Sequence, residues 1–543
     1  MKKSTGHTPL FSSLRRAIKL ARVANHKNAP SADEILDLYN EEQAKRFFSR
    51  REFLALGAGA ATLGLSGCLP EPTNKPENPK KVSEVAKIAI VGAGIAGLHA
   101  AYVLQKAGVQ STVFEGSGRV GGRMFTGMDV VAPGLYAELG GEFVDSGHED
   151  MINLCNEFSL KLNDRLDPKG EGKYKNAYFF EGRHYTEQEV IKAFQPIATR
   201  MDVDINKLSE YFTYNSFSPE DQRLDRMSIA TYLDSIGVSG WFRKLLDVAW
   251  VTEFGRETQE QTALNLLWLI STDTSEGFSI FGESDEQFKI EGGSEQLTRA
   301  LYKKLQAQIK ISHKLEAIRA GKNGGYTLSF ASGGGTKDVE TEMVILTLPF
   351  TLLREVDIQV PLPEVKKKAI KELGYGTNAK LYVGFKDRIW HAKNYSGEAF
   401  TDEGFQLSWD NSAFQPGPAG GLTLFSGGTS GVVVGNGTPE SHVNNFMSGV
   451  EKAFPGASAA RNGQTARFHW PTYEWAKMSY ACYLPGQYTT IAGAEFEPVG
   501  NLFFAGEHTS LDYQGYMNGG AETGRRAAEG ILEKLGIKKA ENA

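Results

Sequence analysis

The stretch KIAIVGAGIAGLHAAYVLQKAGVQSTVFEGSGRVGGR, Lys87 to Arg123, decides the fold. Its pattern predicts a strand over Lys87–Val91, a glycine-rich turn, an apolar helix to about Ala107 and a second strand over Ser111–Phe114. Gly92 permits the tight strand-to-helix turn, Gly94 lets a pyrophosphate approach the backbone, and Gly97 lets helix and strand pack closely. The first turn of that helix, which includes Ala96, offers unpaired N–H groups and a positive dipole end to phosphates. Glu115 follows roughly twenty residues after Gly94, where an acid accepts hydrogen bonds from a ribose diol. A glycine triplet alone is a weak signal. Strand, glycines, helix, second strand and acid in this order predict a dinucleotide-binding βαβ unit.

Composition bounds the remainder. A chain of 543 residues exceeds one ordinary core and predicts two or three lobes. With 59 basic against 65 acidic residues, the net charge of −6 gives no sign of a nucleic-acid partner. The 3 cysteines, Cys68, Cys155 and Cys482, provide neither a disulfide framework nor metal-ligand spacing. No apolar run after residue 70 is long enough to span a bilayer.

The amino end reads as separate from the fold. Residues 1–48 are basic and polar, with a short amphipathic piece at Phe11–Val23. Ser49-Arg50-Arg51-Glu52-Phe53-Leu54 then precedes the weakly apolar run ALGAGAATLGLSG. A twin arginine before such a run resembles a twin-arginine export signal; a chance Arg-Arg pair before a buried helix is the plainer alternative. Leu65-Ser66-Gly67-Cys68 resembles a lipobox, which would lipidate Cys68, against an incidental cysteine in a plain signal peptide. Residues 69–84, rich in proline and charge, read as a flexible tether. The expected location is periplasmic or cell-envelope, with membrane contact only through a lipid at Cys68.

Beyond Glu115, the run Gly116-Ser117-Gly118-Arg119-Val120-Gly121-Gly122-Arg123 places two arginines among glycines, where guanidinium and backbone groups can reach a diphosphate together. This run resembles the FAD-dependent amine oxidases, the monoamine and polyamine oxidase family. The resemblance extends through Ala137-Glu138-Leu139-Gly140-Gly141-Glu142-Phe143, Ile290–Leu297, Met343–Pro349, Leu502–Thr509 and Gly515–Arg525. It implies an α/β architecture: a Rossmann-like FAD-binding domain of the glutathione-reductase type, with an α+β substrate domain of helices over a mixed sheet. The FAD-binding domain is expected over 85–145, 286–349 and 496–537, and the substrate domain over 146–285 and 350–495. By pattern, the first insert is largely helical (Glu149–Phe158, Glu187–Phe194, Met227–Ser235, Gln261–Ile270). The second alternates strands with glycine-rich loops (Lys380–Phe385, Gly421–Ser426, Gly431–Val434).

The resemblance also implies the chemistry. Gly92, Gly94, Ala96, Gly97, Glu115, Arg119, Gly122, Arg123, Gly506, Glu507 and Met517 are expected at FAD, and no residue at a metal. Met517–Leu535 reads as a helix whose N-terminal dipole would stabilise negative charge on the reduced flavin. Lys380 matches the family lysine that holds a water at flavin N5. Tyr516 matches the second tyrosine of the aromatic cage and Tyr480 the first, with Tyr483 a competitor. His508 is given no catalytic part. The implied reaction passes a hydride from an amine carbon to flavin N5, with oxygen or a periplasmic electron carrier as final acceptor; a homodimer is left open.

Two departures narrow this expectation. Monoamine oxidases attach FAD through a cysteine just before the first cage tyrosine; here Ser479 stands there, so FAD is expected to be non-covalent. L-amino acid oxidases clamp the substrate carboxylate with an arginine at the position of Phe143, and an unpartnered carboxylate is costly to bury. An L-amino acid oxidase using another arginine, such as Arg256, is the nearest alternative. Desaturase-type chemistry and a non-catalytic flavin-fold binding protein are more distant ones. Glu142 stays open as an amine attractor, a surface residue or a flavin neighbour.

Overall fold

The structure, a computed structural model, describes residues 86–274, 278–282 and 284–537. The expectations for 1–48, 49–68 and 69–84 lie outside the described residues.

Strand β1 (Ile88–Val91) has all its side chains buried, as suits the middle of a parallel sheet covered on both faces. It pairs in parallel with β2 (Thr112–Phe114), reached through helix α1 (Ile95–Lys106). Three later strands, β3 (Ile309–Lys310), β4 (Met343–Leu346) and β5 (Leu502–Phe504), complete a 5-stranded sheet of order β3-β2-β1-β4-β5. The order reverses beside β1, which opens a crevice at the carboxyl ends of the strands. At Gly92 φ is +107°, and a Cβ on Gly97 would overlap Gly92 O, so the turn and the close helix approach need both glycines. The last helix of the body, which we call α3 (Met517–Lys534), lies against α1, with Ala521, Ala528 and Ile531 meeting Ile95, Leu98 and Ala101 in one buried cluster. Each large aliphatic side chain so buried contributes about 1.5–3 kcal/mol.

A 7-stranded mixed sheet forms the other wall of the crevice, in the order 461–469, 379–385, 420–426, 407–410, 395–401, 175–180 and 183–185. Its strand Ala379–Phe385 is buried at every position and carries Lys380. A 3-stranded antiparallel sheet sets Phe143–Val144 beside Phe288–Ile290, with Phe143 opposite Lys289. Helices of the first insert cover this region around Trp250, Phe194 and Phe242. Among them is α2 (Gly240–Phe254), closed by Gly255 in a left-handed conformation, φ +70°.

Three sequence expectations need correction. Gly431–Val434 is not a strand but the end of a helix, Gly428–Val434, because Gly428, Gly431 and Val434 face inward at a spacing of three while Val432 and Val433 face solvent. The helix expected to stop at Phe194 continues to Ile205 through Pro196. A proline inside a helix costs about 3 kcal/mol, and the buried stripe Val190, Phe194, Ala198 and Met201 outweighs it. The first insert is also less helical than its pattern suggests. Lys175–Phe180 and Arg183–Tyr185 form a hairpin turned by Glu181 and Gly182, both with positive φ, and it joins the large sheet.

Candidate active site

A cavity of about 1060 Å³ follows the crevice from the β1–α1 turn to the large sheet. Its dinucleotide end is built largely from main chain. A Cβ on Gly122 would lie 3.0 Å from Gly94 Cα, so the two glycine loops form a cradle that side chains would fill. Glu115 fastens them together, accepting Ala93 N–H and Ser117 N–H at 2.8 Å each. Helices α1 and α3 begin at Gly94 and Tyr516 without a side-chain cap, and both starts line the cavity. Two uncapped helix N-termini over a glycine cradle fit the diphosphate and the electron-rich ring edge of FAD. Arg119 lies over the Phe125 ring at 3.9 Å and donates to Val120 O, Gly122 O and Tyr473 Oη. Arg123 is paired with Glu507 at 2.7 Å and donates to Ser479 O. Gly506, at φ +125°, Glu507 and Met517 line the same end.

At the junction of the two ends lies a buried ion triad. Lys380 Nζ donates to Glu142 Oε2 at 3.0 Å and to the Gly140 and Glu138 carbonyls. Lys289 Nζ meets the other oxygen, Oε1, at 2.9 Å, and Trp409 Nε1 donates to Oε2 at 3.0 Å. Burial pushes the Glu142 carboxyl upward, but the two ammonium groups outweigh it and hold it at about 2. Glu142 is therefore no surface residue. A further buried carboxyl, Glu138, feels all three charges and is pushed up to about 7, mainly by burial, while Lys380 stands on the cavity side.

The two tyrosines expected to cage the substrate are brought together. Tyr516 Oη donates to Glu253 Oε1 at 2.9 Å, and Tyr480 Oη donates to Thr252 O at 3.2 Å. Both hydroxyls are thus fixed at the carboxyl end of α2, where carbonyls lack intrahelical partners. Glu507 tethers the two loops behind the rings, accepting Ala481 N–H and Gly515 N–H. Burial pushes both phenols well above their ordinary range. Tyr483 goes elsewhere: it packs on Tyr488 and donates to Glu495, outside the cavity. His508 also stays outside, edge-on to Phe350, and burial keeps it neutral.

Beyond the cage the wall is acidic. Asp145, Glu253, Asp285, Glu286 and Glu398 line it, with Arg165 and Lys175 among them; Arg165 meets Glu286 at 3.3 Å and Glu398 at 3.4 Å. Burial pushes Asp145 up to about 6, Glu253 to about 7 and Glu286 to about 8. Sequence reasoning missed Glu253, Lys289 and this acidic wall, since they come from separate elements and no spacing links them. Arg256 turns away from the cavity and donates to Tyr375 O. Ser479 lines the cavity and donates to Asn378, whereas the Cys482 thiol is buried outside it and pushed up to about 12.

Comparison with known proteins agrees with this geometry. The family model for flavin containing amine oxidoreductases matches residues 95–532. The chain is 24% identical to pig amine oxidase [flavin-containing] A over 487 residues, covering 85% of this chain and 87% of the relative. It is also 24% identical to a putative flavin-containing monoamine oxidase, AofH, of Mycobacterium tuberculosis, covering 82% and 97%. Cyclohexylamine oxidase from Brevibacterium oxydans shares the fold at TM-score 0.72 and 22% identity, covering 83% and 99%. Putrescine oxidase bound to putrescine does so at 0.71 and 21%, covering 82% and 99%. Fold and site define a flavoprotein oxidoreductase acting on CH–NH2 donors, with FAD as its cofactor. The chain belongs to the flavin-containing amine oxidoreductase family.

Proposed function

We propose that the protein oxidises a primary or secondary amine to an imine at the cage of Tyr480 and Tyr516. FAD, when bound, supplies the hydride acceptor and passes the electrons to oxygen, yielding hydrogen peroxide, or to another acceptor. The supporting observation is that both tyrosines, Lys380 and the glycine cradle open on one cavity. The tyrosines orient the amine and exclude water from its reacting carbon. Lys380, held by Glu142 and two carbonyls, sets an ammonium at the junction and can move or stabilise charge there. The acidic wall favours a substrate that arrives as a cation, and a second positive group suits it further. Amino acids fit poorly, because Arg165 already donates to Glu286 and Glu398 and carboxyls dominate the wall around it. The position of Cys482 outside the cavity supports non-covalent FAD.

Anaerobic mixing with a panel of amines and amino acids, followed by oxygen, tests this reading. Flavin bleaching by amines and rapid return of colour in air are expected. Bleaching by an amino acid but not by its decarboxylated amine would replace the reading with an L-amino acid oxidase.

The twin arginine and Leu65–Cys68 carry a second part of the proposal, export and lipid anchoring. Replacing Arg50 and Arg51 by lysine should trap the protein in the cytoplasm, and Cys68→Ala should release it from the membrane fraction. Normal delivery of the double variant would end the twin-arginine reading.

A further inference from the structure

We propose that Glu253 takes the proton of the substrate ammonium as it docks between Tyr480 and Tyr516, so that the amine is neutral when its carbon gives up hydride. The proposal rests on the amine-oxidation reading above and deepens it. Hydride loss from an ammonium would leave a dication, whereas the neutral amine yields a singly charged iminium. A proton acceptor beside the cage removes that penalty.

Geometry singles out Glu253 among the carboxyls of the wall. Asp145 accepts Glu286 N–H and pairs with His148, and Asp285 accepts Ser146 on both oxygens. Glu398 meets Asn176 and Arg165, and Glu286 faces Arg165. Glu253 meets only the Tyr516 hydroxyl, on Oε1; among the described residues no cation lies within 4.0 Å of it. It also lines the cavity at the cage.

The surroundings drive proton transfer in the required direction. The groups facing Glu253 are Tyr516 and Tyr480, Asp145 with its partner His148, and Glu286 with Arg165. The two phenols stay protonated. His148 is driven down to about 3 by burial and stands as a neutral ring outside the cavity. Glu253 is the second-last residue of α2, where the negative end of the helix dipole disfavours a carboxylate. Desolvation favours the neutral form of both partners, acid and amine alike. In the step, one N–H bond of R–CH2–NH3+ breaks and one O–H bond forms on Glu253, with no change in oxidation state. The nitrogen lone pair so released assists hydride departure, and the proton passes to solvent when product leaves.

The test uses the FAD-loaded enzyme and tert-butylamine, which has no hydrogen on the carbon bearing nitrogen and so cannot be oxidised. On binding to the wild type, infrared difference spectra should gain a protonated-carboxyl band that Glu253→Gln lacks and Glu253→Asp restores. The kcat/KM of an oxidisable amine should be nearly flat from about pH 7 to about pH 9 in the wild type, and should rise about tenfold per unit in Glu253→Gln, which must wait for neutral amine from solution. Absence of the carboxyl band in the wild type, or parallel pH profiles in the two proteins, would overturn the proposal. Retained flavin colour and a single cooperative thermal transition show that the variant is folded. If no amine bleaches the wild-type flavin, the amine reading itself fails, and that result is obtained without any variant.

Discussion

The two ends of the cavity are built by different means. At the dinucleotide end the working groups are main-chain N–H groups and bare Cα atoms, and side chains such as Glu115 serve to fasten loops. At the substrate end the working groups are side chains delivered from distant elements: Lys380 from the large sheet, Lys289 from the small one, Glu253 from α2 and the tyrosines from two late loops. A backbone site tolerates no added atoms. A side-chain site tolerates exchange, provided that charge stays balanced.

Breaking the backbone end should give the largest effect. A side chain at Gly97 must push α1 away from Gly92 O, and overpacking of this kind costs about 1–3 kcal/mol or more. Gly97→Val should purify without flavin absorbance. Gly118→Val, whose added Cβ meets nothing within 4 Å, should stay yellow. Equal flavin content in the two would show that the cradle does not depend on close approach.

At the substrate end the corresponding break is electrostatic. Glu142→Gln strands two buried ammonium groups, and removing one side of a buried pair costs about 3–5 kcal/mol. Urea unfolding should register that loss, and adding Lys289→Met should recover part of it, because one stranded charge disappears. Additive losses in the double variant would mean that Lys289 and Lys380 do not share Glu142. Lys380→Met leaves Glu142 paired with Lys289, so it should keep FAD while slowing flavin reduction or reoxidation by about 10²-fold in rapid mixing. Tyr516→Ala removes one face of the cage and should lower amine turnover by about tenfold, with flavin retained. Loss of flavin instead would move Tyr516 from the substrate end to the cofactor end.

The same division governs what could be read from sequence. The β1–α1–β2 unit was legible because its glycines must follow the strand at fixed intervals: both strands start one residue later than expected and end where expected, and the helix stops one residue short. Lys380, Tyr480 and Tyr516 were found through motif context, and the structure puts all three on the cavity. Glu253 had no such context. It lies in a helix whose pattern reports only its buried face, Leu245, Leu246, Ala249 and Trp250. Glu142 was visible as a residue but not as a charge centre, because Lys289 and Lys380 reach it from sheets with no fixed sequence relation. The hairpin over 175–185 carried a readable signal, an apolar run followed by Glu181-Gly182, which the helical pattern of its neighbours obscured. Local spacing encodes backbone geometry; the meeting of distant charges is settled only by packing.

The smallest expected effect concerns stability in the absence of substrate, and it separates the two kinds of buried acid. Asp145, Glu253 and Glu286, pushed by burial to about 6, 7 and 8, hold protons in the folded protein that the unfolded chain releases near about pH 4. Between those limits the native state binds more protons than the unfolded one, so stability falls as pH rises and levels off above about pH 8. Glu142 has the opposite sign. Its depressed carboxyl contributes stability that is complete above about pH 5 and is lost as pH falls toward about 2. These acids, joined by Glu138 and Glu495 at about 7, should pull the thermal midpoint of the holoprotein down from mildly acidic buffer toward pH 8, against the opposite trend of His148 and Lys366, which burial holds low. Glu253→Gln removes one of the contributors and should make the alkaline decline shallower, whereas Glu142→Gln should abolish part of the acid limb. A wild-type midpoint that rises steadily from pH 5 to pH 8 would mean that the wall carboxyls are ionised and matched by cations. The substrate end would then lack the unmet negative charge that calls for a cationic amine.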